Sequence, residues 1–395
     1  MKYIGEMDIK KCCGCRACEQ VCPVGCIKMN YDAEGFIVPI IDVTKCISCG
    51  KCVEVCSQKD SDIYNGNNGE SEVYAARNNN KATVLKSSSG GVFIAIAEMI
   101  LSQNGVVVGC AFDENFQAHH ILVHDKVDLW KLMGSKYIQS EIGNVYGQIK
   151  KILLENRPVL FSGTGCQVAS LKKNLGIEYD NLFTIDIICH GVPSQKLFNK
   201  YLKYLEIKHN GVVTSYDFRC KDKSGWGHVA KYVINSKEYY ETSTLDPFYQ
   251  AFIETKIFRE CCYSCKYACN NRVGDISLGD YWGIEIVHPE FASDSGNSLV
   301  LVNTPKGKKI FSEIKKTLMT VESSYQKAAV KNCNLTKPAS RPLDRDRIYK
   351  EIDTIGTKDY ISNYFSVGIS LKARIKKFIP YSIKKKTKKL LKPII

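Results

Sequence analysis

CCGCRACEQVCP, Cys12 to Pro23, and CISCGKCVEVCS, Cys46 to Ser57, decide how this chain begins to fold. Both read C-x2-C-x2-C-x3-C, and each cysteine of the second run follows its counterpart by 34 residues. Asp8 and Asp42 keep that offset, as do Lys11 and Lys45, so the segment is an internal repeat. Thiolates spaced in this way give three ligands to one iron–sulfur cubane, and the fourth cysteine of each run points to the other cluster. The expected sets are Cys12, Cys15, Cys18 and Cys56 for one 4Fe–4S cluster and Cys46, Cys49, Cys52 and Cys22 for a second. Zinc modules pair two C-x2-C knuckles and do not string four cysteines together, so zinc is the weaker reading.

The repeat is imperfect. Pro23 closes the first run and Ser57 the second. Proline turns the chain away rigidly, so serine predicts a looser exit. Cys13 and Cys26 fall outside the ligand spacing and read as small buried hydrophobes.

A chain of 395 residues suits two or three domains. The 19 cysteines, ten of them before residue 57, follow a start with no apolar signal core. That pattern fits metal–thiolate chemistry in a reducing cytosol better than a disulfide framework. No apolar run approaches the length of a spanning helix. Of the formal +14 charge, the ten Lys and Arg beyond Gly368 account for most; the remainder carries 45 − 41 = +4. Leu371, Ile375, Phe378 and Ile379, then Ile383, Leu390, Leu391 and Ile394, make the tail basic and amphipathic. One reading is peripheral contact with an anionic membrane leaflet, and the other is a disordered or partner-binding tail.

The expected organisation is a dicluster ferredoxin domain at 1–60, a polar linker at 61–72, an α/β domain at 73–350 and an extension at 351–395. Val73 to Arg77 and Val106 to Phe112 read as strands, and the serine- and glycine-rich turn Ser87 to Gly91 leads into a helix. Such a turn suits a phosphate. A helix is expected near Gly143 to Asn156 and another over Lys306 to Leu318. PVLFSGTGCQVASLKK and LFTIDIICHGVPS each give strand, turn and helix, arguing for a parallel layer. Cys166 and Cys189 then sit at the carboxyl edge of that sheet, where ligands gather. Cys262 and Cys265 form a C-x2-C pair with Cys261 and Cys269 nearby. Spacing alone leaves iron–sulfur and zinc both open there.

SSSGGVF, GSKYIQS, GTGCQ, DIICHGVPS and the Cys262/Cys265 pair before DISLGDYWG together resemble the beta-subunit family of coenzyme F-420 hydrogenase and dehydrogenase. The resemblance runs from about Cys12 to Gly283. It implies an α/β flavin domain holding FAD beside a third 4Fe–4S cluster. By position, Ser89, Gly90, Gly91, Ser135, Lys136, Tyr137 and Gln139 would line the FAD, approached by Gly163 and Thr164. Cys166, Cys189, Cys262 and Cys265 would hold the third cluster, and His190 would relay a proton, although a structural hydrogen-bonding role competes for it. Gly165 stands where the family usually has proline, which predicts a looser turn at Cys166. The extra Cys261 and Cys269 unsettle the ligand choice.

The resemblance implies a cytoplasmic oxidoreductase exchanging electrons between its clusters and a flavin-linked two-electron carrier, an F-420-like coenzyme or a small or glycan-related substrate. The alternative is an electron-transfer subunit serving a partner enzyme, as in surface-polysaccharide synthesis. A zinc module contacting nucleic acid is disfavoured, because basicity is confined to the tail and no RNA-binding motif occurs.

Overall fold

Four apolar runs that pack side by side build the centre of the molecule. The computed structural model describes residues 2–59 and 71–365. Strands are β1 (Ile27–Tyr31), β2 (Ile37–Ile41), β3 (Glu72–Asn78), β4 (Val106–Phe112), β5 (Ala118–Val123), β6 (Val159–Thr164), β7 (Leu182–Ile187), β8 (Val213–Asp217), β9 (Val229–Ile234), β10 (Lys237–Thr242), β11 (Ile276–Asp280), β12 (Ser298–Val302) and β13 (Leu318–Ser323). The main sheet runs β13-β3-β12-β11-β7-β6-β4-β5. β4, β6, β7 and β11 are mutually parallel, and antiparallel strands complete both edges. The sheet is therefore mixed, with the expected parallel layer at its centre.

Both faces are covered, which is why the central strands carry apolar runs such as 106–108 and 159–161, with Thr184, Asp186 and Ser277 as buried polar exceptions. On one face Ile96 and Ile100 of helix Val92–Ser102 meet Ile310 and Ile314 over Leu160. On the other, Tyr146, Ile149, Val168 and Leu171 pack on Val159 and Phe161. The alternation of Val159, Leu160 and Phe161 between the two cores follows from the period of two in a strand.

A second, three-stranded antiparallel sheet, β10-β9-β8, packs with helices Gln195–His209, Pro247–Ile253 and Thr357–Tyr364 into an aromatic core. Phe198, Tyr201, Phe218, Tyr232, Phe248 and Tyr249 fill it. β10 is solvated along much of its length, so its lysine and two glutamates hide the strand signal.

The basic tail from residue 366 and most of the expected linker lie outside the described residues. No helix among the described residues is long and apolar enough to cross a membrane.

Candidate functional site

The 34-residue repeat is written into the backbone. Gly14 and Ser48 are both left-handed (φ 69° and 53°), as are Arg16 and Gly50 (φ 60° and 75°). Each pair opens a one-turn helix, Ala17–Gln20 and Lys51–Glu54. Asp8 accepts from Lys10 N–H and Asp42 from Thr44 N–H, again 34 apart. Glycine relieves the left-handed geometry at only one of the two positions in each half.

This wrapping makes two thiol-lined cavities. Cys12, Cys15, Cys18 and Cys56, with Cys13, line one. Cys22, Cys46, Cys49 and Cys52, with Cys26, line the other. Cys56 thus crosses to the first run and Cys22 to the second. Burial pushes the Cys12 and Cys56 thiols up to about 11, so a metal must supply the charge that ionises them. Among the described residues no three His, Cys, Asp or Glu side chains close on a single metal ion. Thiols spread around a shared cavity suit a cubane, whose irons lie apart.

The ferredoxin-like segment is fastened to the sheet domain. Arg259, buried, donates Nε to the Cys12 carbonyl at 2.6 Å, one terminal nitrogen to the Ile37 carbonyl at 2.9 Å and the other to Gln139 Oε1 at 3.2 Å. Gln139 donates Nε2 to the Cys13 carbonyl at 3.2 Å. Arg16 pairs with Glu141. Ser57 is fully buried, its hydroxyl 2.8 Å from Ser170 Oγ and its carbonyl accepting from Tyr267 at 2.7 Å. The exit at Ser57 is therefore anchored, not loose: a proline there has no hydroxyl to reach Ser170.

Nor is the turn at Gly165 loose. Gln167 Oε1 accepts from the Thr164 N–H at 2.9 Å, capping helix Gly165–Leu175. A Cβ at Gly165 would lie 2.9 Å from Tyr267 Cβ, so the residue that grips Ser57 occupies the space a proline ring would need.

A third group of thiols lies across this junction. Cys166 opens the helix after β6, and Cys189 follows β7 by two residues, so both stand at the carboxyl edge of neighbouring parallel strands. Cys166 and Cys265 pack on the same apolar cluster as Cys15. Cys166 lies within electrostatic range of Cys265, and Cys189 of Cys265 and Cys261. Burial pushes Cys189 to about 12 and Cys265 to about 11. Cys262 packs instead against the aromatic core, as does Tyr263. Cys269 turns back onto the carbonyls of Lys266 and Asn271.

The glycine-turn motifs meet around an arginine that carries no sequence signature. Arg219, buried, pairs bidentately with Asp280 (2.6 and 3.1 Å), and donates to Tyr137 OH at 2.9 Å and the Ser88 carbonyl at 3.2 Å. Ser135 Oγ bonds Ser88 Oγ at 2.9 Å. SSSGG, GSKY and DISLGD are thereby drawn to one point. Trp226 Nε1 donates to Asp280 at 2.8 Å and stacks on Trp282 at 4.5 Å, with Arg219 over the latter ring. Lys221 Nζ reaches the carbonyls of Val84, Ser89 and Ser295 at 2.6–2.8 Å. Burial and Arg219 push this amine down to about 7, while three acceptors, one for each ammonium N–H, favour the charged form.

The other residues assigned by resemblance are placed as follows. Gly90 and Gly91 are buried against β3 and β12: the Gly90 N–H goes to Ser298 Oγ at 2.9 Å, and a Cβ there would lie 2.4 Å from the Ala76 carbonyl. Ser89 Oγ donates to the Asn297 carbonyl at 2.7 Å. The Lys136 ammonium is enclosed by the carbonyls of Lys131, Met133 and Gly134. Gln139 belongs to the ferredoxin junction, with Gly163 and Thr164 on the strand that leads to Cys166. His190 has both ring nitrogens engaged, with Asn334 at 2.9 Å and the Ile253 carbonyl at 3.4 Å. That is the structural role which competes with a proton relay.

Three family models match the chain. The N-terminal model of the coenzyme F420 hydrogenase/dehydrogenase beta subunit matches residues 73–146, and the model of the C terminus of that same subunit matches 156–327. A 4Fe-4S dicluster domain matches 11–59. No curated protein matches. Among solved structures, a chain from the F420-reducing [NiFe] hydrogenase complex of Methanosarcina barkeri, studied by xenon derivatization, is similar at 18% identity and a TM-score of 0.44. The match covers 76% of this chain and 92% of that one.

Proposed function

Because this chain belongs to the coenzyme F420 hydrogenase/dehydrogenase beta-subunit family and carries a 4Fe-4S dicluster domain, we propose that it is an iron–sulfur flavoprotein oxidoreductase. Its electrons pass between 4Fe–4S clusters and an FAD-linked two-electron carrier, an F-420-like coenzyme or a small or glycan-related substrate. Clusters supply single-electron steps and a flavin couples them to two-electron chemistry.

The chain's own contribution is position and charge. Cys12, Cys15, Cys18 and Cys56 hold one cluster, and Cys22, Cys46, Cys49 and Cys52 the second. A third belongs to the group around Cys166, Cys189 and Cys265. Ser89, Ser135 and Tyr137, tied together through Arg219, Ser88 and Lys221, frame the flavin loops. The buried Arg219–Asp280 pair fixes their spacing, since parting either group leaves an uncompensated charge.

The observation that carries this reading is the shared edge: Cys166 and Cys189 follow adjacent parallel strands, and the ferredoxin segment is clamped to the same edge by Arg259 and Gln139. The test is anaerobic turnover of the isolated, reconstituted chain with a low-potential donor and a panel of two-electron acceptors including a deazaflavin. Flavin-dependent acceptor reduction is expected. Clusters that reduce while no acceptor turns over until a partner protein is added would favour the electron-transfer-subunit reading.

A further inference from the structure

Cys13 has no place in the ferredoxin ligand pattern, and the repeat shows why. Its counterpart 34 residues later is Ile47, which borders its cavity as Cys13 does and is yet 61% exposed, so this position stands at the outer edge of the ferredoxin segment. In the first half, outward is toward the sheet domain. There its Sγ lies 3.8 Å from the anchored Ser57 hydroxyl, which is 2.8 Å from Ser170 Oγ, and Ser170 in turn donates to the Cys166 carbonyl at 2.7 Å. Gln139 holds its carbonyl and Arg259 the carbonyl before it, so the thiol is fixed across the junction. Cys15, Cys166 and Cys265 share one apolar cluster, whereas Cys262 packs in the aromatic one.

We propose that Cys13 supplies the fourth thiolate of the third cluster, with Cys166, Cys189 and Cys265, in the place that the sequence pattern gives to Cys262. The cluster is then held by both parts of the chain and stands between the ferredoxin segment and the flavin loops. This rests on the third-cluster reading above. It also explains why the junction is so heavily fastened: a ligand set drawn from two domains keeps its geometry only if the domains cannot shift.

The test is iron content and reduced-state electron paramagnetic resonance of the full chain, reconstituted anaerobically, as wild type, Cys13→Ser, Cys189→Ser, Cys262→Ser, Cys261→Ser and the Cys13→Ser/Cys189→Ser double variant. Cys13→Ser and Cys189→Ser should each fall from about twelve to about eight iron atoms per chain. The double variant should remain near eight, because both changes remove the same cluster. Cys262→Ser and Cys261→Ser, neighbours on the turn Glu260–Ser264 that leads to Cys265, should both keep about twelve, and that pair of results supports the proposal even if Cys13→Ser fails to fold. Full iron in Cys13→Ser, or about eight in Cys262→Ser or Cys261→Ser, overturns the proposal, as does a double variant near four, which places Cys13 on a ferredoxin cluster. About eight iron atoms in the wild type defeats the third-cluster reading itself, whereas full iron in Cys189→Ser removes Cys189 from the set and overturns the proposal alone, and the two failures are thereby told apart.

Discussion

Arg259 donates its Nε–H to the carbonyl oxygen of Cys12 at 2.6 Å, so a residue of the sheet domain grips the first ligand position of the ferredoxin segment. Its other two nitrogens are committed to Ile37 and Gln139. Arg259→Met removes all three bonds and takes the donor from the buried Cys12 and Ile37 carbonyls, each costing about 1 kcal/mol or more. Amide hydrogen exchange should show residues 11–59 opening at least tenfold more readily, with the sheet core unchanged. Unaltered protection over 11–59 would show that Arg259 does not hold the junction.

Gly165→Ala probes a second contact of the same junction, the one through Tyr267 to Ser57. The new methyl meets Tyr267 at 2.9 Å, within a buried contact, and such overpacking costs about 1–3 kcal/mol. Gly147, inside helix Val145–Leu154, has nothing within 4 Å of the position a methyl would take and serves as the counterpart. Gly147→Ala should stabilise by about 0.5–1 kcal/mol. Urea midpoints moving in opposite directions are expected; a shift of the same sign in both variants contradicts the packing account.

His120 sets a pH dependence. Its Nδ1 faces Ser140 Oγ at 2.7 Å and its Nε2 the Ser162 carbonyl at 3.2 Å, an arrangement for the neutral ring. Burial, chiefly, lowers it from 6.5 to about 4. Between those values the folded chain binds fewer protons than the unfolded one, so stability rises with pH and is lost as pH falls through the window. From neutrality to about pH 5.5 the His120 contribution is roughly 1 kcal/mol. The loss of urea stability over that interval should be smaller in His120→Gln; an identical loss in both proteins means the ring does not gate it. His228, also lowered to about 4 by burial, adds in the same direction.

Much of this is legible in the order of the residues. The cysteine spacing defines the two cavities because cluster ligation imposes a local pattern, and the apolar runs of β4, β6 and β7 declare a doubly covered sheet. What escapes has a common cause. Arg219 lies 82 residues from Tyr137 and 61 from Asp280, so nothing local marks it as the point where three motifs meet. Cys13 reads as filler because its partner Cys166 is supplied by another domain. Ser57 and Gly165 read as loosened turns because Ser170 and Tyr267, which occupy the space around them, are distant in sequence. The aromatic core is hidden because β9 and β10 carry tyrosine beside lysine and glutamate, with no clean alternation.

The sequence beyond Gly368 predicts reversible attachment to anionic vesicles, since ten basic residues accompany an apolar stripe. Co-sedimentation of the full chain should weaken at raised salt and disappear in a truncation ending at Val367. Equal binding by both proteins removes the tail from the account.

The most direct measurement of the central claim is metal and flavin analysis of the anaerobically purified full chain, read together with its absorption spectrum. The account predicts about twelve iron atoms with matching sulfide, stoichiometric FAD, and a broad band near ~400 nm that bleaches on reduction. A colourless protein holding zinc, or one with iron but no capacity to retain FAD after reconstitution, would contradict it.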